Sequence, residues 1–470
     1  MAATDLIVIG AGPGGIRAAV EGASHGLRVL LIDEQPTPGG QIYRALGANT
    51  EPAPGSRDIL GADYWRGRDV IDALRGSQVE YVPGASVWTV EKEPLSVGYV
   101  VGEQSFLRTA QHVIIAAGAY ERPVPIPGWT LPGVMTAGSA QVLMKSAGVI
   151  PNGRIALAGS GPLLMLVTSQ LLSAGANVVA YLDTATVGSW RSALPHLPRA
   201  LGAPGMLSKG LAMQLQIARS RVPSYRGVAK LACLGAEKAT GIRFDSAGST
   251  REIAADLVLL HEGLVPHVQI TRMLGLEHQW YEPQRYWRPV VGKWGESSNE
   301  RIHVVGDGAA IGGATVAAAS GRIAALDVAM KLKAISSQDR DRAAATLFAQ
   351  RGKDLRIRPL LDHLYPPPPE ICAPSDPTVV VCRCEEIDVA EIATCVGAGS
   401  NGPNQLKAFS RCGMGPCQGR MCGLTVSEII ARERDVPIEQ VGYYRVRAPI
   451  KPMSLSALAS LEIDEDDASS

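Results

Sequence analysis

Apolar positions along this chain fall into short unbroken runs separated by helical periods. Leu6 to Ile9 and Val29 to Ile32 are two such runs, and between them Ile16, Ala19, Val20 and Ala23 recur at helical spacing. Unbroken runs of this length suit strands buried on both faces, so the segment reads as strand, crossover helix, strand. The pattern returns with a strand at 154–158, a helix at 163–173 and a strand at 178–182. Two more apolar runs end in small residues, "HVII" before Ala116-Ala117-Gly118 and "IHVV" before Gly306-Asp307-Gly308. Beyond residue 380, "DVAEIATCVGAG", "PNQLKAFS" and "LTVSEIIARER" read as helices around cysteine-bearing loops. The class expected is α/β with a small helical unit at the carboxyl end.

Size and charge narrow the partners. At 470 residues the chain is long enough for several domains. Its 45 Lys and Arg balance 45 Asp and Glu, and no basic cluster interleaves with aromatics, so a nucleic-acid partner is not expected. No apolar run is long enough for a transmembrane segment, and the first residues enter a strand without a leader pattern. The expected place is cytoplasmic, either free or peripheral to the inner membrane face, with its cysteines reduced, metal-bound or redox-active.

The first turn carries nucleotide chemistry. "GAGPGG" places Gly10, Gly12 and Gly15 in GxGxxG spacing, with Pro13 and Gly14 opening the helix. The first glycine permits the turn, the second lets backbone approach a pyrophosphate, and the third lets helix and strand pack closely. The phosphates would sit on the free N–H groups of the helix. Asp33, at the end of the second strand, suits the ribose hydroxyls, with Glu34 a close competitor.

The second turn is damaged. "GSGPLL" has Gly159 and Gly161, but Leu164 stands where the third glycine belongs. Asp183 would repel a 2′-phosphate. That disfavours NADP(H) more than NAD(H). Leu164, which would force helix and strand apart or occupy the nucleotide's approach, makes NAD(H) unexpected too, and the unit reads as vestigial or repurposed.

"HVIIAAGAYERPVPIPG" and "ERIHVVGDGAAIGGATVAAASGRIAA" resemble segments of two-dinucleotide-domain flavoproteins of the glutathione- and thioredoxin-reductase type. That resemblance implies Rossmann-like folds and FAD. It implies Asp307, after Gly306, at the ribityl–phosphate region, although Asp307 also reads as an N-cap. It implies that Gly40 and Gln41 of "PGGQIYR" lie near the flavin, as do Ala117 and Gly118. The redox cysteine pair of the disulfide reductases is missing, for Cys233 stands alone.

The cysteines gather at the other end. Cys382-x-Cys384, then 32 residues, then Cys417-x4-Cys422 resembles the 2Fe–2S domain first known from bacterioferritin-associated ferredoxin. That resemblance implies those four residues as ligands. Gly413, Gly415 and Gly419 would supply bends and bare N–H groups facing sulfur. Zinc and unligated thiols are the competing readings. Cys412 could replace Cys417 but is read as packing, and Cys372 and Cys395 as non-ligands.

The whole order resembles the FAD-dependent alpha subunit of multi-subunit opine and amino-acid oxidases, of the opine oxidase, hydrogen cyanide synthase and proline dehydrogenase type. "DEQPTPGGQIYR", "PIPGWTLPGVMTAG" and "KAFSRCGMGPCQGRMCGLT" carry it. The divisions expected are an FAD-binding part at 1–150, a degenerate nucleotide domain at 151–265 and the FAD return at 266–345. A proline-rich linker at 346–377, the 2Fe–2S domain at 378–435 and an acidic, finally disordered tail at 436–470 follow. The resemblance implies an electron-transfer subunit whose partner, a D-amino-acid-oxidase-like flavoprotein, oxidises a C–N bond. It also implies an acceptor such as a quinone or respiratory carrier, in some members a further small subunit, and in some an FMN between subunits. A self-contained NADH-dependent flavin and iron–sulfur reductase, and a redox-sensing or scaffold subunit, stay open as alternatives. The eight histidines are scattered and read as structural, and no catalytic residue is assigned.

Overall fold

A computed structural model describes residues 4–49 and 58–461. The acidic end of the expected tail therefore lies outside the described residues.

The first strand, Thr4–Ile9, lies at the centre of a seven-stranded sheet. Val29–Ile32 and Glu80–Val82 extend it on one side, both parallel. On the other side lies the long strand Gln104–Ile115, which also pairs with Ile302–Val304 from the return segment. Leu6, Ile7, Val8, Leu30, Leu31 and Ile32 are fully buried, as a parallel sheet covered on both faces requires. The helices Pro13–Ser24 and Ala314–Lys331 cross one face in close contact. Glycine makes the crossing possible, because a Cβ on Gly321 would overlap the Gly14 carbonyl.

A second parallel sheet runs Ser224–Arg226, Val178–Asp183, Ile155–Ser160, Leu257–Glu262, Val134–Thr136. The expected boundary at 150 is thus too late. Val134–Thr136 pairs with Val258, Leu259 and Leu260, so the chain has crossed into the second unit before residue 134. A three-stranded antiparallel sheet, Ala229–Leu234, Gly241–Ser246 and Ser249–Ala254, covers one side.

Two other expectations need correction. The stretch 346–377 is not an extended spacer. It completes the helix Ser337–Asp354 and forms the helices Arg358–Leu364 and Pro369–Cys372, with Leu360, Leu364, Ile371 and Cys372 buried. Pro359 and Pro369 sit in the first turns of these helices, where a missing N–H costs nothing, so proline starts helices here. Nor does folding end at residue 435. Tyr443, Tyr444, Val446 and Ile450 are buried, and a short helix, Leu455–Ala459, follows.

The carboxyl-end unit opens with the hairpin Val380–Cys382 and Ile387–Asp388. The helices Val389–Gly397, Pro403–Ser410 and Gly423–Arg434 follow. Its core residues Ile392, Leu406, Val426 and Ile429 join Val265, Val268, Tyr286 and Trp287 of the flavoprotein-like body in one apolar cluster. The two units therefore share a core. Among the described residues no helix is long and apolar enough to cross a membrane.

Candidate functional site

The first glycine loop is shaped by close backbone approach. Gly10 has φ +103°, and a Cβ there would lie 2.5 Å from the Ala116 carbonyl oxygen. A Cβ on Gly15 would overlap the Gly10 carbonyl. Gly14 turns its bare side toward Ala317 of the return helix, so its contribution is packing. Gly12 is the open position, its nearest neighbour being the Gly40 Cα at 3.9 Å. Pro13 occupies the first turn of the helix. Across the crevice Gly118, at φ +68°, faces open space: a Cβ there would meet nothing within 4 Å. Ala117 precedes it.

The two acids separate. Asp33 is buried, and its carboxylate accepts the Ala11 N–H of the glycine loop and the Gln35 N–H at 2.7 Å. Burial raises its pKa against those hydrogen bonds. Glu34 is exposed and pairs with Lys451 from the carboxyl-end segment. Asp307 accepts the Gly312 and Gly313 N–H groups at 2.8 and 2.9 Å, ahead of the helix that begins at Ala314. Gly306, at φ +67°, makes the preceding bend.

Two cations here escaped the sequence reading. Arg44 donates to Gln35, while its buried Nε has no partner. Lys145 is buried, and its Nζ donates to the Gln41 carbonyl at 3.1 Å and to Gln141 at 3.0 Å. Desolvation, with Arg44 nearby, pulls the Lys145 pKa down to about 8. Bare glycine backbone, an orphaned guanidinium N–H and a desolvated ammonium together fit an anionic dinucleotide.

The second loop is built alike, with Gly161 as open as Gly12, but two of its neighbouring side chains differ. Leu164 is fully buried. Glu262 is buried as well, accepting Ser160 Oγ at 3.1 Å and Thr184 Oγ1 at 2.9 Å across the strand ends. Burial pushes its carboxyl up to about 8. Asp183 accepts the Ala185 N–H at 2.9 Å, and burial raises its pKa too. Tyr365, from the segment expected to be a linker, packs against the core of this unit.

The cysteine site forms where the hairpin meets the glycine-rich loop. Cys382, Cys384, Cys417 and Cys422 line one cavity of about 260 Å³, together with Val124, Trp129, Met135 and Leu260. Cys412 is fully buried, and its Sγ lies with those of Cys382 and Cys422, all within 4.8 Å of one another. Hydrogen bonds from Cys412 and Cys422 hold the Cys382 thiol far below the ordinary range. The reading of Cys412 as plain packing is thus too weak. It backs the inner end of a thiol group large enough to hold a metal cluster, while Cys384 and Cys417 stand at the outer end. The loop glycines serve packing as well as bending. A Cβ on Gly413 would lie 2.5 Å from the Tyr444 ring, and one on Gly423 2.5 Å from the Tyr443 hydroxyl.

A short brace joins the two sites. Tyr120 Oη donates to the Arg420 carbonyl at 2.8 Å, inside the Cys417–Cys422 loop. Arg420 Nη1 lies 3.3 Å from His267 Nε2, and the backbone N–H of His267 donates to the Gly118 carbonyl at 2.9 Å. Burial, and then Arg420, push the His267 pKa down to about 4, so the ring is neutral and can accept from Arg420.

Comparison with known proteins places this geometry. Residues 4–331 match the pyridine nucleotide-disulphide oxidoreductase family, and residues 378–461 the sarcosine oxidase A3 domain. The chain is 44% identical to the A subunit of opine oxidase from Agrobacterium tumefaciens, over 97% of this chain and 92% of that one. It is 31% identical to hydrogen cyanide synthase subunit HcnB of Pseudomonas aeruginosa, over 97% and 98%. Among solved structures, L-proline dehydrogenase from P. horikoshii superposes with a TM-score of 0.68 at 17% identity, covering 97% of this chain and 79% of that one. T. acidophilum thioredoxin reductase gives 0.51 at 17% identity, covering 70% and 98%.

Proposed function

Because the chain belongs to the family of the opine oxidase A subunit, we propose that it is the electron-transfer subunit of a complex that oxidises a C–N bond of an amino acid or opine. The chain is an FAD-dependent oxidoreductase subunit. In this reading Gly10, Gly12 and Gly15 shape the pyrophosphate turn, Asp33 takes the ribose, and Arg44 and Lys145 face the negative charge. Gly118, Gly306 and Asp307 border the far side of the same crevice, with Gly40 and Gln41 above it. Cys382, Cys384, Cys417 and Cys422 hold a 2Fe–2S cluster, with Cys412 behind them. Flavin handles electrons in pairs or singly, and such a cluster takes them one at a time.

The observation that carries the reading is the brace from Gly118 through His267 and Arg420, with Tyr120 beside it, to the cysteine loop. It fixes the crevice and the thiols on one rigid support, which a relay needs and a lone nucleotide-binding unit does not. The C–N bond would be oxidised in a D-amino-acid-oxidase-like partner subunit, and a quinone or respiratory carrier would take the electrons. An FMN, where one is used, would be held jointly with that partner. Leu164 in place of a third glycine, with Glu262 across the strand ends, speaks against a self-contained NADH-dependent reductase.

Visible spectra and an iron assay test this. Flavin in the complex should bleach when the amino acid or opine is added and only if the partner is present. Cys417→Ala should lose the cluster's iron and visible absorbance, and Cys412→Ala should keep both. Bleaching of the isolated chain by NADH would favour the reductase instead. A colourless, iron-free complex would end the proposal.

A further inference from the structure

The segment 187–221 contains the helices Val187–Ala193, Leu197–Ala200 and Pro204–Arg219 and carries no Asp or Glu, in a chain whose charges balance overall. It has five cations: Arg191, Arg199, Lys209, Arg219 and Arg221. Lys209 pairs with Asp63, and none of the four arginines has an ion-pair partner among the described residues. The apolar side chains are arranged with the large ones outward. Ala193, Ala200 and Ala203 face the core, against Ile357, Leu360 and Leu364. Trp190, Leu194, Leu197, Leu201, Leu211 and Leu215 face out, Leu194 and Leu201 being 58% and 62% exposed. A helix layer satisfied by its own fold would place the leucines inside and small or polar residues outside. Six large apolar side chains left exposed on one stretch of helices mark an interaction surface.

We propose that this face docks on an anionic lipid surface. The charge pattern selects that occupant. Unpaired arginines interleave with tryptophan and leucine along the segment, which carries no carboxylate of its own. A bilayer surface is uniformly negative, with an apolar layer just beneath it, so it meets both groups at once. A protein partner of mixed charge would leave some arginines facing like charge, and the segment has no carboxylate of its own to offer it. Trp190 and the leucines would enter the headgroup boundary while the arginines meet phosphates. The inference stands apart from the relay reading, because it uses none of the residues assigned to flavin or cluster.

Sedimentation of the full chain with vesicles of phosphatidylcholine, with and without phosphatidylglycerol, tests it. The chain should bind the anionic vesicles, and added salt should release it. Each arginine replaced by glutamine among Arg191, Arg199, Arg219 and Arg221 should weaken binding about fivefold. Trp190→Ser with Leu201→Ser should abolish it. All six sites are exposed, so flavin content and melting temperature should hold and report intact folding. Equal binding to neutral and anionic vesicles, or wild-type binding by the arginine variant, would overturn the proposal. So would failure to bind vesicles combined with loss of a co-purifying subunit in the variants, which would make the face a protein interface.

Discussion

The two glycine loops share one backbone plan and differ in what fills it. Gly10 and Gly159 both have positive φ, at +103° and +133°, and both press against the next parallel strand, at the carbonyls of Ala116 and His261. One residue further along those strands stand Ala117 and Glu262. The alanine presents only a methyl group, whereas the carboxyl of Glu262 spans Ser160 and Thr184 at the matching place. At the third glycine position, Gly15 admits the Gly10 carbonyl and Leu164 fills an apolar core. The two loops thus differ at two side chains while the strands beneath them keep one plan.

The largest effect expected is at Gly15. Gly15→Ala should force the Gly10 turn apart and lower flavin content at least about tenfold, read from the visible absorbance of purified protein. The mirror change, Leu164→Gly, should cost about 3–5 kcal/mol of stability through the emptied core, read by denaturant unfolding. It should gain no NADH binding, because Glu262 remains. NADH binding by this variant would break the comparison.

Glu262 has its own signature. The folded state keeps its proton up to about pH 8, whereas the unfolded chain releases it near the ordinary 4.5. The stability contributed by that proton is full at acid pH and is lost as pH climbs through this window. Glu262→Gln should flatten the slope, a gain of order 5 kcal/mol at the alkaline end, visible in unfolding midpoints compared across the window. An unchanged slope would mean the carboxyl is not desolvated, and the second crevice would be open after all.

The acids at the two strand ends should also part company. Asp33→Asn should weaken flavin retention about 10- to 100-fold, by loss of charge-assisted hydrogen bonds. Asp183→Asn should leave it unchanged, as measured by flavin release on dilution.

The first crevice was largely legible in the sequence, because its glycines, the acid and the flanking runs are contiguous. Leu164 was legible for the same reason. Glu262 was not, since only the strand register brings it over Ser160, far earlier in the chain. Arg44 lay inside a quoted motif, but nothing in a sequence shows that its Nε is buried without a partner. The prolines before the cysteine unit misled in another way, since composition cannot separate a stiff spacer from helix starts. Cys412 was visible and undervalued, because spacing cannot show that its sulfur lies beside Cys382 and Cys422.

The smallest effect expected lies at Glu34, and it decides which acid belongs to the first crevice. Its partner Lys451 comes from a segment that returns to the body beside Ile450, whose N–H donates to the Trp88 carbonyl at 3.0 Å. Glu34 is half exposed, so Glu34→Gln should cost at most about 1 kcal/mol and change flavin affinity less than about twofold. A drop in affinity as large as that expected for Asp33→Asn would move the ribose contact to Glu34. Asp33 would then be a structural brace for the glycine turn, as its bond from the Ala11 N–H already permits, and the two strand-end aspartates would no longer differ in kind.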